Sequence, residues 1–352
     1  MSGFLMRIKQ SPFFIRLTHW EYWSSSVLYI PIAFYFLWLS LKSRSLFFFS
    51  ASNPGIDTGG LYGESKMSVL KKIPKEFIPK TILIKPQTER NLLLEKLRQA
   101  EIEFPLIAKP DVGERGFLVE KMDDIESLEK HLARFPVDFI LQEYLDYEHE
   151  FNVLFYLIPG EETGTISSIT IKKYMTVIGD GKSSVEELMQ KDNRSILQLE
   201  RFKKEKVQLM QEIPAKGATL RIEPVGNHAR GTAFFDGRYL VDEQMLRTFN
   251  HIAKQIPDMF IFRFDAKCKT PQGLKTGESL KFVEVNGAGG EPTHIYETGY
   301  SLFRAWGDLL HQWSIIYKVS SINHKNGVAY MSLHEGIAKL KTYFYYKEKL
   351  SK

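Results

Sequence analysis

Two stretches of this chain put charge into what otherwise reads as buried strand. The first is Phe262-Arg263-Phe264-Asp265, alternating apolar and charged; the second is Phe282-Val283-Glu284-Val285-Asn286. Successive residues of a strand point to opposite faces, so Glu284 and Asn286 share a face. If the two strands are neighbours, Asp265 meets them there. A bare buried charge is costly, so any fold using these strands must give the charges partners. Two carboxylates and an amide oxygen are hard donors, suited to Mg²⁺ carrying phosphates. An ordinary ion pair of Arg263 with an acid is the plainer account. The Glu-x-Asn spacing, followed by Gly287-Ala288-Gly289-Gly290, favours a metal site.

The 352 residues are enough for two or three packed layers. With 43% hydrophobic and 25% charged residues, the chain reads as an ordinary globular protein with no disordered segment. The net charge of +5 is spread thinly, and no dense Lys/Arg run calls for a nucleic-acid partner. It suits an anionic ligand or an anionic membrane surface. A single cysteine, Cys268, excludes an internal disulfide and a cysteine-only zinc site. That fits a cytoplasmic location.

The N-terminus complicates that location. Residues 1–17 are basic, with Arg7, Lys9 and Arg16 and no acid, and Val27–Leu41 is almost wholly apolar around Pro31. This run falls short of the roughly 20 residues that span a bilayer as a helix. No small-residue cleavage site follows it, which argues against a secretory signal. A buried helix and a helix lying on the membrane, anchored by Trp20, Trp23 and the basic flanks, remain the competing readings. Residues 1–45 are the segment through which a peripheral membrane contact would run.

The pattern divides the chain into an aromatic-rich unit over 1–80, a compact α+β lobe over 81–146, a larger strand-rich lobe over 147–300 and a helical segment over 301–352. The first unit reads as a long helix through Leu41, then a buried strand at Leu46–Ala51. The second alternates strand and helix: strands near Thr81–Lys85, Pro105–Lys109, Gly116–Glu120 and Phe139–Tyr144. One helix is capped by Thr88 and one by Asp123 or Asp124. The third carries strands near Phe151–Ile158, Ser167–Met175, Thr219–Pro224, Met259–Ala266 and Leu280–Val285. Ser183-Ser184 ahead of Glu186-Glu187 is a capping-box pattern, predicting a long charged helical region towards Lys206. Helices are expected at Leu302–Tyr317 and Ser332–Lys349.

Three further motifs bear polar chemistry. Leu106-Ile107-Ala108-Lys109-Pro110 leads into Asp111-Val112-Gly113-Glu114-Arg115-Gly116, a loop whose backbone N–H groups, with Lys109 and Arg115, suit a phosphate. It returns to a strand, so it is not a P-loop, and a hairpin with two exposed basic residues is the plainer account. Gln142-Glu143-Tyr144-Leu145, with Glu148 and Glu150, offers carboxylates that suit ribose hydroxyls, or simply an acidic surface turn. Gly226-Asn227-His228-Ala229-Arg230-Gly231-Thr232 is a polar, donor-rich loop. His228 and His294 lack a second histidine at metal-ligand spacing and read as exposed loop residues.

Taken in order, these motifs over residues 64–298 resemble the ATP-grasp superfamily, in its carboxylate–amine ligase branch of D-alanine–D-alanine ligases, glutathione synthetases and cyanophycin synthetase. Val177-Ile178-Gly179-Asp180-Gly181-Lys182 through Leu188 is similar to a stretch of cyanophycin synthetase. The resemblance implies an α+β ATP-grasp fold, two lobes with the nucleotide between them. It implies that Lys66 and Lys109 contact ATP phosphates, that Arg115 lies in the loop closing over them, and that Glu143, Tyr144 and Leu145 form the adenine hinge. Glu150 would bind ribose. Asp265, Glu284 and Asn286 would hold Mg²⁺ or Mn²⁺, Arg263 would flank the transferred phosphate, and Asn227 and Arg230 would touch phosphate or substrate. The glycine-rich, glutamate-containing segment of D-alanine–D-alanine ligases is missing, so D-Ala-D-Ala is not the expected product, and no Mur-ligase-like domain is present.

The implied activity joins a small carboxylate to an amine through an acyl phosphate. A non-catalytic ATP or metabolite sensor at the membrane surface, and an ATP-dependent phosphotransferase, are the alternatives. Neither the substrates nor the oligomeric state is legible.

Overall fold

The computed structural model describes residues 11–113 and 116–351. Three helices open the described chain: α1 (Pro12–Thr18), α2 (Ser25–Leu28) and α3 (Ile30–Ser43). The strand expected at Leu46–Ala51 is instead a short 3-10 helix over Phe48–Ser52. Arg44 at φ 54° turns the chain back sharply, and Phe47, Phe48 and Phe49 bury against a C-terminal helix. Tertiary packing thus overrides the β preference of an aromatic run. α4 (Lys66–Leu70) follows, capped by Ser65.

The first sheet holds β1 (Thr81–Ile84), β2 (Leu106–Pro110), β3 (Glu120–Met122) and β4 (Phe139–Glu143), antiparallel in the order β1-β4-β2-β3. Residues expected as the third strand, from Gly116, form a turn with Leu118 at φ 54°, and pairing starts only at Glu120. Two helices, α5 (Arg90–Gln99) and α6 (Ile125–Ala133), set Leu93, Leu97 and Leu128 on the sheet. Asp124 caps α6 through Ser127 N. Thr88 does not cap α5; its hydroxyl donates to Lys85 O at 2.8 Å, and the helix begins after Glu89.

The second sheet is larger. Its strands are β5 (His149–Tyr156), β6 (Thr165–Lys173), β9 (Ala233–Asp236), β10 (Ile261–Cys268) and β11 (Lys281–Asn286), all antiparallel in the order β11-β10-β5-β6-β9. A small ribbon, β7 (Thr176–Ile178) with β8 (Thr219–Arg221), stands beside it. Between these two strands lie four short helices, α7 (Val185–Met189), α8 (Asn193–Ile196), α9 (Leu199–Glu205) and α10 (Val207–Gln211), in place of the single long helical region expected. The capping box at Ser184 and Glu187 does form, but Asp192 caps a new helix soon after.

Amphipathic α11 (Glu243–Lys254) places Met245, Phe249, Ile252 and Ala253 on Phe262, Phe264 and Phe282, and α12 (Pro271–Thr276) closes that core. The chain ends in α13 (Leu302–Lys325) and α14 (Leu333–Ser351). α13 packs on α3 and the Phe47–Phe49 turn, while Leu350 of α14 reaches the core of the first sheet. Antiparallel sheets faced by helices make the molecule an α+β protein. Among the described residues no helix is long and apolar enough to cross a membrane.

Candidate functional site

The alternation in β10 places Phe262, Phe264 and Ala266 on the core face and Arg263 and Asp265 on the other. β11 pairs with it so that Arg263 lies opposite Asn286 and Asp265 opposite Glu284, with a bulge just after Asp265. The two acids and the amide therefore meet on one face, above a layer in which Phe264 and Phe282 pack with ring centres 4.4 Å apart. Arg263 Nε donates to Asp265 Oδ1 at 3.1 Å. With its amide set so that both ends find partners, Asn286 accepts from Arg263 Nη2 at 2.9 Å and donates to Glu284 Oε1 at 3.3 Å. The plain ion pair and the oxygen cluster are thus both present.

Lysines converge on this cluster from separate elements. Lys66, at the start of α4, donates to Glu284 Oε1 at 3.0 Å and to Gly113 O at 2.5 Å. Asp111, just past β2, anchors that helix by accepting from Met67 N at 2.8 Å. Lys109 of β2 reaches across from the first sheet, donating to Val283 O at 2.7 Å and Gln142 Oε1 at 2.9 Å. Lys172 of β6 bridges Asp265 Oδ2 at 3.2 Å and Glu150 Oε1 at 2.8 Å. Burial alone would raise the Glu284 carboxyl, but Lys66, Lys109 and Arg263 hold it down at about 2. Burial lowers Lys109 to about 8, partly offset by Glu284. Lys172 goes the other way: burial lowers it, yet Asp265 and Glu150 leave it raised.

A cavity of about 1020 Å³ opens over these groups, at the upper end of the roughly 300–1,000 Å³ common for small-molecule sites. Arg263, Asp265, Glu284, Asn286, Lys172 and Asn227 line it, whereas Lys66 and Lys109 do not. Glu21, Tyr22, Trp23 and Tyr29 of the N-terminal segment and Trp313 of α13 line it too. Glu21 is 5% exposed, and its Oε1 is buried with no hydrogen-bond partner among the described residues.

Neither loop histidine is exposed: His228 is half-buried and His294 fully buried. His228 stacks on Tyr22, packs near Tyr296 and Phe234, and leaves Nε2 without a partner. Burial, then Arg194, lowers it to about 3, so it stays neutral at ordinary pH. His294 lies within 2.7 Å of Ser168 Oγ and 3.3 Å of Asp308. Both are held by packing that a loop sequence does not advertise.

No family model matches the chain, and no curated protein matches it either. Solved structures do. A D-alanine–D-alanine ligase from Bacillus anthracis complexed with ATP is 13% identical, with TM-score 0.43, covering 75% of this chain and 68% of that one. A bifunctional glutathione synthetase from Pasteurella multocida is 17% identical, with TM-score 0.34 over 70% of this chain. This chain spans 36% of that synthetase's length. A D-Ala:D-Ser ligase from Enterococcus faecalis is 13% identical, with TM-score 0.39, over 71% of this chain and 61% of that one. With identities and TM-scores this low, any chemistry proposed for this chain rests on its own residues.

The other residues expected of an ATP-grasp site are placed as follows. Arg115 lies outside the described residues. Glu143, at the end of β4, accepts from Lys80 N at 3.2 Å. Tyr144 carries the ammonium groups of Lys121 and Lys267 over its ring, and Leu145 O accepts from Lys267 at 3.2 Å. These hinge residues do not line the cavity. Behind it, Glu150 is 5% exposed, held by Lys172, by Tyr174 Oη and more distantly by Lys267 at 3.8 Å. A Cβ at Gly226 would fall 2.4 Å from its Oε1, so the 225–232 loop lies directly on the carboxylate. Asn227 caps the 3-10 turn His228–Arg230 by accepting from Ala229 N at 2.8 Å, and Gly116 packs against it. Arg230 does not line the cavity. Its Nε donates to buried Glu223 at 3.2 Å and its Nη1 to Val119 O at 3.0 Å, tying the loop to the first sheet's β2–β3 connection.

Two site residues go unread in the sequence. Lys172 follows the same logic as Asp265, a charge inside an apolar strand, Ile169-Thr170-Ile171-Lys172. Glu21 is the single acid between residues 1 and 56, set among tryptophans and tyrosines.

Proposed function

We propose that the chain is an ATP-dependent carboxylate–amine ligase. The observation that carries this reading is the β10–β11 register, which sets Asp265 against Glu284 and Arg263 against Asn286 on a cavity wall, with Lys172 beside them on that wall and Lys66 and Lys109 reaching β11 from outside it. Asp265, Glu284 and Asn286 fit a divalent cation. All three are oxygen donors, and the two acids are now neutralised only by lysine and arginine. Among the described residues no group of three or more His, Cys, Asp and Glu side chains gathers anywhere, so this smaller set needs phosphate oxygens to complete a shell. A bound Mg²⁺ would supply charge neutralisation between the β- and γ-phosphates.

The rest falls to the chain's own side chains. Lys66, Lys109 and Arg263 neutralise phosphate oxygens as the terminal P–O bond to ADP breaks and a new P–O bond forms to the substrate carboxylate. The amine then attacks the acyl carbon, inorganic phosphate leaves, and the nitrogen gives up a proton. No protein nucleophile is required. The finer assignment, an acid joined to an amino acid, belongs to the same proposal.

Glu284→Gln removes one charge without changing size. ATP turnover over a mixture of amino acids and small carboxylates should drop to background while the circular dichroism spectrum stays unchanged. Substantial turnover in that variant with Mg²⁺ present would remove the acid pair from the chemistry. Amide product detected by mass spectrometry separates a ligase from a phosphotransferase.

A further inference from the structure

The N-terminal segment has two faces. Inward, Leu28 and Ile32 pack with Leu309 and Ala305 of α13, and Leu39 packs with Phe48 and Ile316. Outward, Ile30, Phe34, Leu37, Trp38 and Leu41 all stand exposed on α3, with Phe34 at 70% and Leu41 at 79%. Their spacing puts them in one stripe along the helix. Phe13, Leu17 and Val27 continue the apolar surface on α1 and α2. Exposed Phe303 adds to it through Trp306, whose indole N–H donates to Leu28 O at 3.0 Å. A soluble surface rarely leaves an apolar area of this size open to water.

Charge identifies what covers it. Arg16, Lys42 and Arg44 are exposed around the stripe, and Lys42 lies over the Trp38 ring. Between residues 11 and 56 the single acid is Glu21, which is buried and lines the cavity on the inner side. On this face residues 11–56 therefore contribute positive charge and no exposed carboxylate, the complement of an anionic bilayer. α3 has 14 residues, giving a length of about 21 Å. That is short of the roughly 30 Å hydrocarbon core, so the helix can lie along the interface but not cross it. Tryptophan beside basic residues is the composition of such interfacial helices.

We infer that α1–α3, with the first turn of α13, dock flat on an anionic membrane surface. Co-sedimentation with vesicles tests this. The full chain should pellet with vesicles of equal phosphatidylglycerol and phosphatidylcholine, and much less with phosphatidylcholine alone or in high salt. The double variant Phe34→Asp, Leu41→Asp should bind roughly tenfold more weakly or worse. Both positions are exposed, so its thermal melt should match wild type. Three results would overturn the inference: wild type remaining in the supernatant with both vesicles, the double variant binding as wild type does, or sedimentation velocity showing a dimer that only the variant breaks. The last would make the stripe a contact between copies of this chain. None of these readouts depends on ATP turnover, so failure here leaves the ligase reading untouched.

Discussion

Glu21 lies almost fully buried on the cavity wall with its Oε1 unpartnered among the described residues. A carboxylate buried without a donor keeps a desolvation penalty of roughly 1–3 kcal/mol or more. Glu21→Gln should therefore raise the stability of the ligand-free protein by about 1–3 kcal/mol in urea denaturation. A loss of stability would mean that the carboxylate has a structural partner. Lys109 makes a second residue-scale prediction. Its ammonium is held near 8 by burial, so it is charged below that pH and neutral above it. The pH profile of kcat/KM for ATP reports the free enzyme, and should fall as pH rises through about 8. Lys109→Arg, whose guanidinium stays charged, should lose that limb; an identical limb in the variant would assign it to another group. The acid pair was legible in the sequence because charge inside an apolar strand is conspicuous. Lys172 carried the same signal in weaker form. Glu21 carried almost none, because nothing in its local sequence marks a lone acid among aromatic residues as buried.

Elements were legible where a local signal controls them. The capping box at Ser184 and the Asp124 cap stand where the sequence puts them. The helix over Glu243–Lys254 went unread, although Met245, Phe249, Ile252 and Ala253 after the Asp242 cap have helical spacing, and β9 after the 225–232 loop is short enough to pass for turn. The 3-10 turn at Phe48–Ser52 was not readable, since the reversal at Arg44 and the packing on α13 decide it. The 225–232 loop itself yields a prediction. Gly226 has no room for a methyl group, whose carbon would meet Glu150 Oε1 at 2.4 Å. Gly226→Ala should displace the Glu150–Lys172 pair and lower kcat/KM for ATP by roughly tenfold to a hundredfold, as small misplacements at a reacting centre do. Unchanged kinetics with an unchanged melting temperature would show that Glu150 does not need its present place.

At the scale of the whole molecule, the sequence announces two strand-rich regions but not their strand orders. The arrangements β1-β4-β2-β3 and β11-β10-β5-β6-β9 arise from long-range pairing that no local pattern encodes. Nor does it reveal that the N-terminal segment and α13 both line the cavity. Because Lys109 comes from one sheet and Glu284 from the other, the site exists only when the two halves meet. Arg230 reinforces that meeting, and replacing it with glutamine should shorten any delay between adding ATP and reaching steady turnover. An equal delay in stopped-flow traces of wild type and Arg230→Gln would deny the loop a role in timing.

The 225–232 loop rests on Glu150 and, through Arg230, holds the β2–β3 connection against the larger half. One short segment is thus both stopper and clasp. On the proposed ligase reading, a visiting nucleotide would have to unseat it before reaching Glu150, so the resting protein would be bolted rather than ajar. Its first turnover would then be governed by how often a single guanidinium lets go.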